Sequence, residues 1–171
     1  MKIGLVSYEF KNKDVAYNVS QIKRAIIESD VDMLCFGEAF LQGFDSLSWE
    51  YEQDKNIAIS QDSVVMQDII SFANQFKKDL AFGYIEKDNE FIYSSYAVIL
   101  EGKLFYNYRR ISKGWKEYTL TNSFYKEGNI SEEFYYKNHW FKIALCGDLW
   151  EEALKEKFKA KDILFWPVYV N

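Results

Sequence analysis

The apolar stretch from Val31 to Phe36, broken only by Asp32, restricts the fold more than any other feature of the chain. A short strand that is apolar on both faces must be covered on both faces, which requires a sheet packed between other layers. Before it, Val15, Val19, Ile22 and Ile26 recur at helical spacing behind Asp14, whose carboxylate suits an N-cap. Residues 2 to 7 read as a further strand. Strand, amphipathic helix and buried strand make a βαβ unit, so the chain belongs to the α/β class.

The pattern continues downstream. The polar stretch from Asp45 to Asp62 lacks strong periodicity and reads as a loop, after which Val65, Ile69, Phe72 and Phe76 predict a helix behind Ser63. Leu80 to Ile85 predicts a strand, and Phe91 to Leu100 and Lys103 to Tyr108 predict a pair joined across Glu101-Gly102. Phe134 to Tyr136 and Trp140 to Leu145 flank Lys137-Asn138-His139 as a hairpin, followed by a helical pattern over Glu151 to Phe158 and a buried strand over Ile163 to Trp166. No internal repeat, low-complexity segment or linker divides residues 1-171, which are read as one domain. The apolar run before Asn171 is barely finished when the chain stops, and that ending is abrupt for a complete fold.

Charge narrows the function. A formal net charge of -5 argues against a general nucleic-acid binder, which needs a basic face to neutralise phosphates, and suits a small neutral or polar substrate better. The first apolar run is too short for a signal peptide and no stretch reaches the length of a membrane span, so the expected location is cytoplasmic, with no membrane partner. Cys35 and Cys146 have neither metal-ligand spacing nor the spacing of a redox pair. Each is judged alone. Aromatic residues make up 19% of the chain, enough to fill a thick layered core or to line a pocket.

Open α/β sheets build their sites at strand ends, and three such ends carry reactive side chains. Glu38 follows Met33-Leu34-Cys35-Phe36-Gly37, where burial would raise its pKa toward that of a useful base; capping or pairing at a loop is the alternative. Cys146 follows Phe141-Lys142-Ile143-Ala144-Leu145 and precedes a predicted helix, whose N-terminus would favour the thiolate; an inert buried thiol is the alternative, and Cys35 fits that better. The third, Tyr106 to Lys116, interleaves basic and aromatic residues, as an anion-binding patch or as a solvated loop with long stems lying over rings. His139, the single histidine, falls in a hairpin turn, so any base for Cys146 must be a carboxylate. No His/Cys/Asp cluster has metal-ligand spacing.

Together the three segments resemble the nitrilase, or carbon–nitrogen hydrolase, superfamily, whose members use a Glu, Lys, Cys triad in that chain order. The first motif is matched by Gly37-Glu38-Ala39-Phe40-Leu41-Gln42-Gly43-Phe44, with Gly37 where the family usually has proline. The third is matched by Cys146-Gly147-Asp148-Leu149-Trp150-Glu151, while the second reads Tyr108-Arg109-Arg110 and sets Arg110 at the lysine position. The resemblance spans Lys2 to Tyr169. It implies a nitrilase-like α-β-β-α sandwich that lacks the C-terminal closing strands and helices, and by analogy a homo-oligomer. The implied activity is hydrolysis of a small-molecule amide or nitrile through a cysteine thioester, without cofactor or metal. In that scheme Glu38 is the base, Cys146 the nucleophile and Arg110 the cation, with Lys113 as a possible substitute cation. Gly147, Trp150 and Phe44 would form the oxyanion and substrate pocket. A catalytically impaired nitrilase-fold protein that binds a ligand or partner subunit is the alternative, favoured by Arg110, by Thr121 to Ser123 where many relatives place a second glutamate, and by the early stop. An anion- or nucleic-acid-binding module built on Arg109 to Lys116 ranks last.

Overall fold

The computed structural model describes residues 1–169. Strands β1 (Ile3–Leu5) and β2 (Met33–Cys35) pair in parallel with Ile3 opposite Met33, and helix α1 (Val15–Glu28) crosses between them. Asp14 caps that helix by accepting the Tyr17 N–H at 2.9 Å. Helix α2 (Tyr51–Asp54) and a 3-10 turn at Phe44–Ser46 lie inside the stretch expected to be loop. Apolar periodicity does not organise this segment; a buried carboxylate does. Asp54 accepts from the Ser48 and Trp49 N–H groups at 2.8 and 2.9 Å and from the Tyr125 hydroxyl at 2.7 Å. Ser63 caps α3 (Val64–Gln75) through the Met66 N–H.

β3 (Asp79–Asp88) lies parallel to β2, and β4 (Phe91–Leu100) and β5 (Lys103–Arg109) follow in an antiparallel meander, giving the order β1-β2-β3-β4-β5. Two reversals return β5 to the direction of β1, β2 and β3. The C-terminal ends of β2 and β5, which lead to Glu38 and Arg110, therefore open on the same edge of the sheet. A register shift beside Ile99 leaves Phe105 unpaired and half exposed.

One face of this sheet carries Leu34, Phe36, Leu80, Phe82 and Ile99, packed under Ile22, Ile26, Met66 and Ile69 of α1 and α3. Its other face meets a second sheet, in which β6 (Phe134–Tyr136) is antiparallel to β7 (His139–Ile143) and β7 is parallel to β8 (Ile163–Phe165). Lys137 and Asn138 at φ 44° and 68° make the tight turn before β7. That turn is shorter than expected, and His139 becomes the exposed first residue of the strand. Phe134, Phe141, Ile143 and Phe165 face inward onto Met33, Ala81, Val98 and Tyr108. Phe141 anchors this layer, stacked on Phe134 at 5.2 Å with an interplanar angle of 10°.

The expected helix over Glu151 to Phe158 resolves into α4 (Glu152–Lys155) and a 3-10 turn at Glu156–Phe158, both in the crossover from β7 to β8. The layers are thus helix, sheet and sheet, and Tyr135 of the second sheet and Trp166 just beyond β8 are exposed. A space of about 390 Å³ opens between the β1–β2 side and β8, lined by Leu5, Cys35, Phe36, Leu164, Phe165 and Pro167. Among the described residues no helix is long and apolar enough to cross a membrane.

Gly83 of β3 decides how closely the segment after β2 approaches. A Cβ there would lie 2.4 Å from the Ala39 nitrogen and 2.8 Å from the Glu38 Cα, both backbone atoms that have no room to yield. Gly83→Ala is expected to destabilise the fold by roughly 1–3 kcal/mol, as overpacking does. Gly37→Ala, whose new methyl meets nothing within 4 Å, serves as the control. Urea melts of the two variants check this, and equal midpoints would show that the close approach does not matter.

Candidate active site

Glu38 is presented by a short loop clamped against β3. Phe36 donates to the Ala81 carbonyl at 2.8 Å, Gly83 to the Gly37 carbonyl at 3.1 Å, and Leu41 to the Gly83 carbonyl at 3.1 Å. Ala39 takes a positive φ of 49°, which kinks the chain immediately after the acid. Cys146 adopts the same unusual conformation, φ 41°, in the 3-10 turn that follows β7. Such a backbone costs on the order of 1–3 kcal/mol for a residue with a side chain and persists only where its surroundings hold it. Here the Cys146 N–H donates to the Pro167 carbonyl at 3.0 Å, and the Trp166 indole donates to the Cys146 carbonyl at 2.8 Å. Arg110 leaves β5 with its N–H on the Ser94 carbonyl at 2.9 Å.

The three side chains meet. Arg110 Nη1 lies 3.1 Å from Glu38 Oε1, with 4% and 1% of the two side chains exposed, so the pair is shielded from water. The Cys146 thiol lies beside the Glu38 carboxyl, close enough for each to shift the other's pKa, and the Tyr169 N–H donates to Glu38 Oε2 at 3.2 Å. Arg110 Nε reaches Ser112 Oγ at 2.8 Å, and Nη2 reaches the Lys113 carbonyl at 3.4 Å. Gly147 makes room for the cation, since a Cβ there would lie 2.2 Å from Arg110 Nη2.

Burial raises the Glu38 pKa above the ordinary carboxylate value, opposed chiefly by the Arg110 charge. Burial also pushes the Cys146 thiol up to about 11; the Glu38 charge adds to this, and the Arg110 charge works against it. The expected thiolate at a helix N-terminus is therefore corrected. Only a four-residue 3-10 turn follows the sulfur, and desolvation and a neighbouring carboxylate outweigh it. The resting arrangement is a thiol beside a carboxylate.

Asp148 holds the cation and the sulfur in a common frame. Its Oδ1 accepts from the Ile111 and Ser112 N–H groups at 3.2 and 2.7 Å, and its Oδ2 from the Leu145 N–H at 2.7 Å and the Tyr108 hydroxyl at 2.6 Å. The first two bonds shape the loop that carries Arg110, and the Leu145 bond fixes the residue before Cys146.

Other expected site residues fall differently. Lys113 is exposed and its backbone reaches Arg110 and Glu151, whereas it is Arg110 that pairs with Glu38. Trp150 is 62% exposed, because the tight turn after Cys146 carries it outward, and it does not line the small cavity beside Glu38. Phe44 does line that cavity and stacks on Tyr169 with ring centroids 4.2 Å apart. Cys35 is buried in the core, where desolvation raises its thiol to about 12. Three of the four cations in the basic run are paired, Arg109 with Glu86 and Asp88, Arg110 with Glu38, and Lys116 with Glu127. No group of three or more His, Cys, Asp or Glu is arranged to hold a metal ion among the described residues. Asp148 stands in the third motif without a role read from the sequence, and Ser112, Trp115 and Tyr169 have none read there either. The Cys-x-Asp spacing was the one available signal for Asp148; Tyr169 arrives from a distant strand end that no local pattern announces.

The family model described as carbon-nitrogen hydrolase matches residues 2–169. The chain belongs to the carbon–nitrogen hydrolase family. Its fold is the mixed α/β nitrilase fold, shared with a CN-hydrolase superfamily protein of Xanthomonas campestris that bears an arsenic adduct in its active site, at a TM-score of 0.80 and 13% identity. It is similar to an amidase of Nesterenkonia AN1 at 0.75 and 14%, and to Nit3 of Saccharomyces cerevisiae, of the nitrilase superfamily, at 0.71 and 19%. The alignments cover 99%, 99% and 100% of this carbon–nitrogen hydrolase chain and 65% of each of the three structures. A glutamine-dependent NAD+ synthetase of Acinetobacter baumannii shares the fold over 91% of this chain and 29% of its own, at 0.71 and 16%. No curated protein matches the sequence.

Removing the Asp148 carboxylate strands several buried donors at once, each costing about 1–3 kcal/mol. Asp148→Ala is expected to lower stability by at least about 3 kcal/mol. Chemical denaturation measures it, and a loss below about 1 kcal/mol would mean the carboxylate does not hold this frame.

Proposed function

We propose that this chain hydrolyses a carbon–nitrogen bond of a small amide, with Cys146 as nucleophile, Glu38 as proton carrier and Arg110 as fixed positive charge. The observation that carries the reading is the convergence of a thiol, a buried carboxylate and a buried guanidinium from three separate strand ends. Family membership supports the reaction class.

In the proposed cycle the Glu38 carboxylate takes the thiol proton as sulfur attacks the carbonyl carbon. Negative charge collects on the carbonyl oxygen, where Arg110 and the Gly147 N–H stabilise it. The carbon–nitrogen bond then breaks, Glu38 returns its proton to the departing nitrogen, and a thioester remains. Water, deprotonated by Glu38, attacks that thioester; the carbon–sulfur bond breaks, and the sulfur recovers its proton from Glu38. Each half of the reaction has a lower barrier than direct attack by water. Arginine stays protonated throughout, so it contributes charge and no proton. Glu38 must therefore perform every proton transfer. The raised Glu38 pKa suits that task, bringing the carboxyl nearer the working pH of a general base.

One observation favours the impaired alternative. All three guanidinium nitrogens of Arg110 already have protein acceptors, in Glu38, Ser112 and Lys113, which leaves less of the cation for a substrate oxygen. In that reading the chain binds an amide or a partner subunit without turnover.

Incubation with a panel of small amides, followed by intact-mass analysis, tests the proposal. A thioester adduct is expected on the unmodified chain and not on Cys146→Ala; an adduct that survives the substitution, or complete absence of turnover, would overturn it. Glu38→Gln is expected to lower kcat by about 10²–10⁴-fold, the usual share of a general acid–base group.

The pH dependence follows from the direction of the shifts. Turnover needs Glu38 ionised at the start, so kcat/KM is expected to rise with pH through a value above the ordinary glutamate pKa of about 4.3 and then to level off. Because the thiol keeps its proton up to about 11, alkylation of Cys146 by iodoacetamide at pH 8 is expected to be slower than that of an ordinary cysteine. Rapid alkylation would contradict the resting thiol.

A further inference from the structure

The parallel pairing of β7 with β8 carries on past the ends of both strands. Ala144 donates to the Phe165 carbonyl at 2.9 Å, and two residues further along each chain Cys146 donates to the Pro167 carbonyl at 3.0 Å. The Trp166 indole closes on the Cys146 carbonyl at 2.8 Å. Pairing within the second sheet therefore fixes the course of the chain after β8. Just beyond Pro167, that course brings the Tyr169 N–H to the acid that follows β2 of the first sheet, where it donates to Glu38 Oε2 at 3.2 Å. The Tyr169 ring is anchored too, stacked on Phe44 at 4.2 Å and set edge-on to Phe10 at 6.1 Å.

Glu38 Oε1 is taken by Arg110 Nη1 at 3.1 Å, and among the described residues the Tyr169 N–H is the donor on the other oxygen. A carboxyl held through one oxygen can still turn, because its terminal torsion is broad. Held through both, it keeps one orientation. Donors to an ionised carboxylate also favour that form. Burial raises the acid and the thiol, and this N–H is among the groups that pull both back.

We propose that Tyr169 is a positioning residue that acts through its main chain: its N–H on Glu38 Oε2, together with the Arg110 guanidinium on Oε1, keeps the carboxyl in one orientation and in its proton-accepting form beside Cys146. One short segment then sets both partners of the first proton transfer, with Trp166 and Pro167 on the nucleophile and Tyr169 on the base. The role rests on the hydrolase reading for its purpose, since Glu38 is the proton carrier there, whereas the hold on the carboxyl belongs to the resting chain. Any residue with a backbone N–H supplies the donor; the ring supplies its anchorage.

The hold is tested on the unmodified chain labelled with ¹⁵N-tyrosine, in which the Tyr169 amide signal is the one lost in Tyr169→Phe. Its proton is expected to shift downfield as Glu38 ionises and to lose that pH dependence in Glu38→Gln. A signal that ignores pH, or that titrates equally in Glu38→Gln, would overturn the proposal. The consequence is read from the full chain in which Tyr169 is replaced by its α-hydroxy acid, which puts an ester oxygen where the N–H stands and keeps the ring. Glu38 then lacks a donor that favours its ionised form, so the acid limb of kcat/KM is expected to move up by about one pH unit, the worth of a hydrogen bond to a charged group. A limb that stays in place would overturn the positioning role and leave the hydrolase reading intact. If neither chain turns over any amide, the hydrolase reading falls, and a ¹³C titration of the Glu38 carboxyl in the same two chains still decides the hold: a higher pKa in the ester chain sustains it, and coincident values sink it.

Discussion

The Asp148 carboxylate is the point at which the two sheets are fastened together near the chemistry. Its four hydrogen bonds go to Tyr108 of β5, to Ile111 and Ser112 beyond that strand, and to Leu145 beyond β7. Three of these partners are backbone N–H groups that would otherwise be buried where water does not serve them. One acidic side chain therefore satisfies the polar groups of two loops and fixes their relative position. Tyr108 completes the arrangement by crossing from the first sheet into the apolar layer, where its ring also meets Phe158. Without this fastening, each loop would keep its own strand as a support but lose its reference to the other.

A buried ion pair is costly unless its geometry and additional hydrogen bonds are good. The pair between Glu38 and Arg110 meets that condition in part, through Ser112 and Lys113 on the cation and through Tyr169 on the acid. Its electrostatics are finely opposed. Desolvation raises both the acid and the thiol, and the guanidinium pulls both down, so one cation adjusts the proton affinities of both groups. The fold accommodates the larger cation by leaving Gly147 without a Cβ, directly beneath the guanidinium. Position 110 and position 147 thus form one steric unit.

Much of the first sheet was legible in the sequence because its signals are local. Asp14 and Ser63 announce helix starts, and apolar periodicity marks the faces of α1 and α3. The strand ends that carry Glu38 and Cys146 were equally visible, as apolar runs stopping at a reactive side chain. What stayed hidden depends on contacts distant along the chain. Asp54 orders a segment without periodicity by bonding to Tyr125, and Lys113 looked like a spare cation until its side chain turned outward. Trp150 resembled a pocket residue because it follows Cys146 so closely, yet the tight turn there reverses its direction. Sequence distance says little about side-chain direction where the backbone takes positive φ.

Glu38 follows a strand of the helix-backed sheet and Cys146 a strand of its partner, so how oxygen and sulfur stand depends on the spacing of the two sheets. The rings of Phe134, Phe141 and Phe165 act there as a spacer whose thickness sets that gap. Reactive geometry tolerates little misplacement, and a shift of about 1 Å is enough to matter. Spacing in such an architecture is set by shims, residues distant from Glu38 and Cys146 whose volume governs how two rigid plates stand apart.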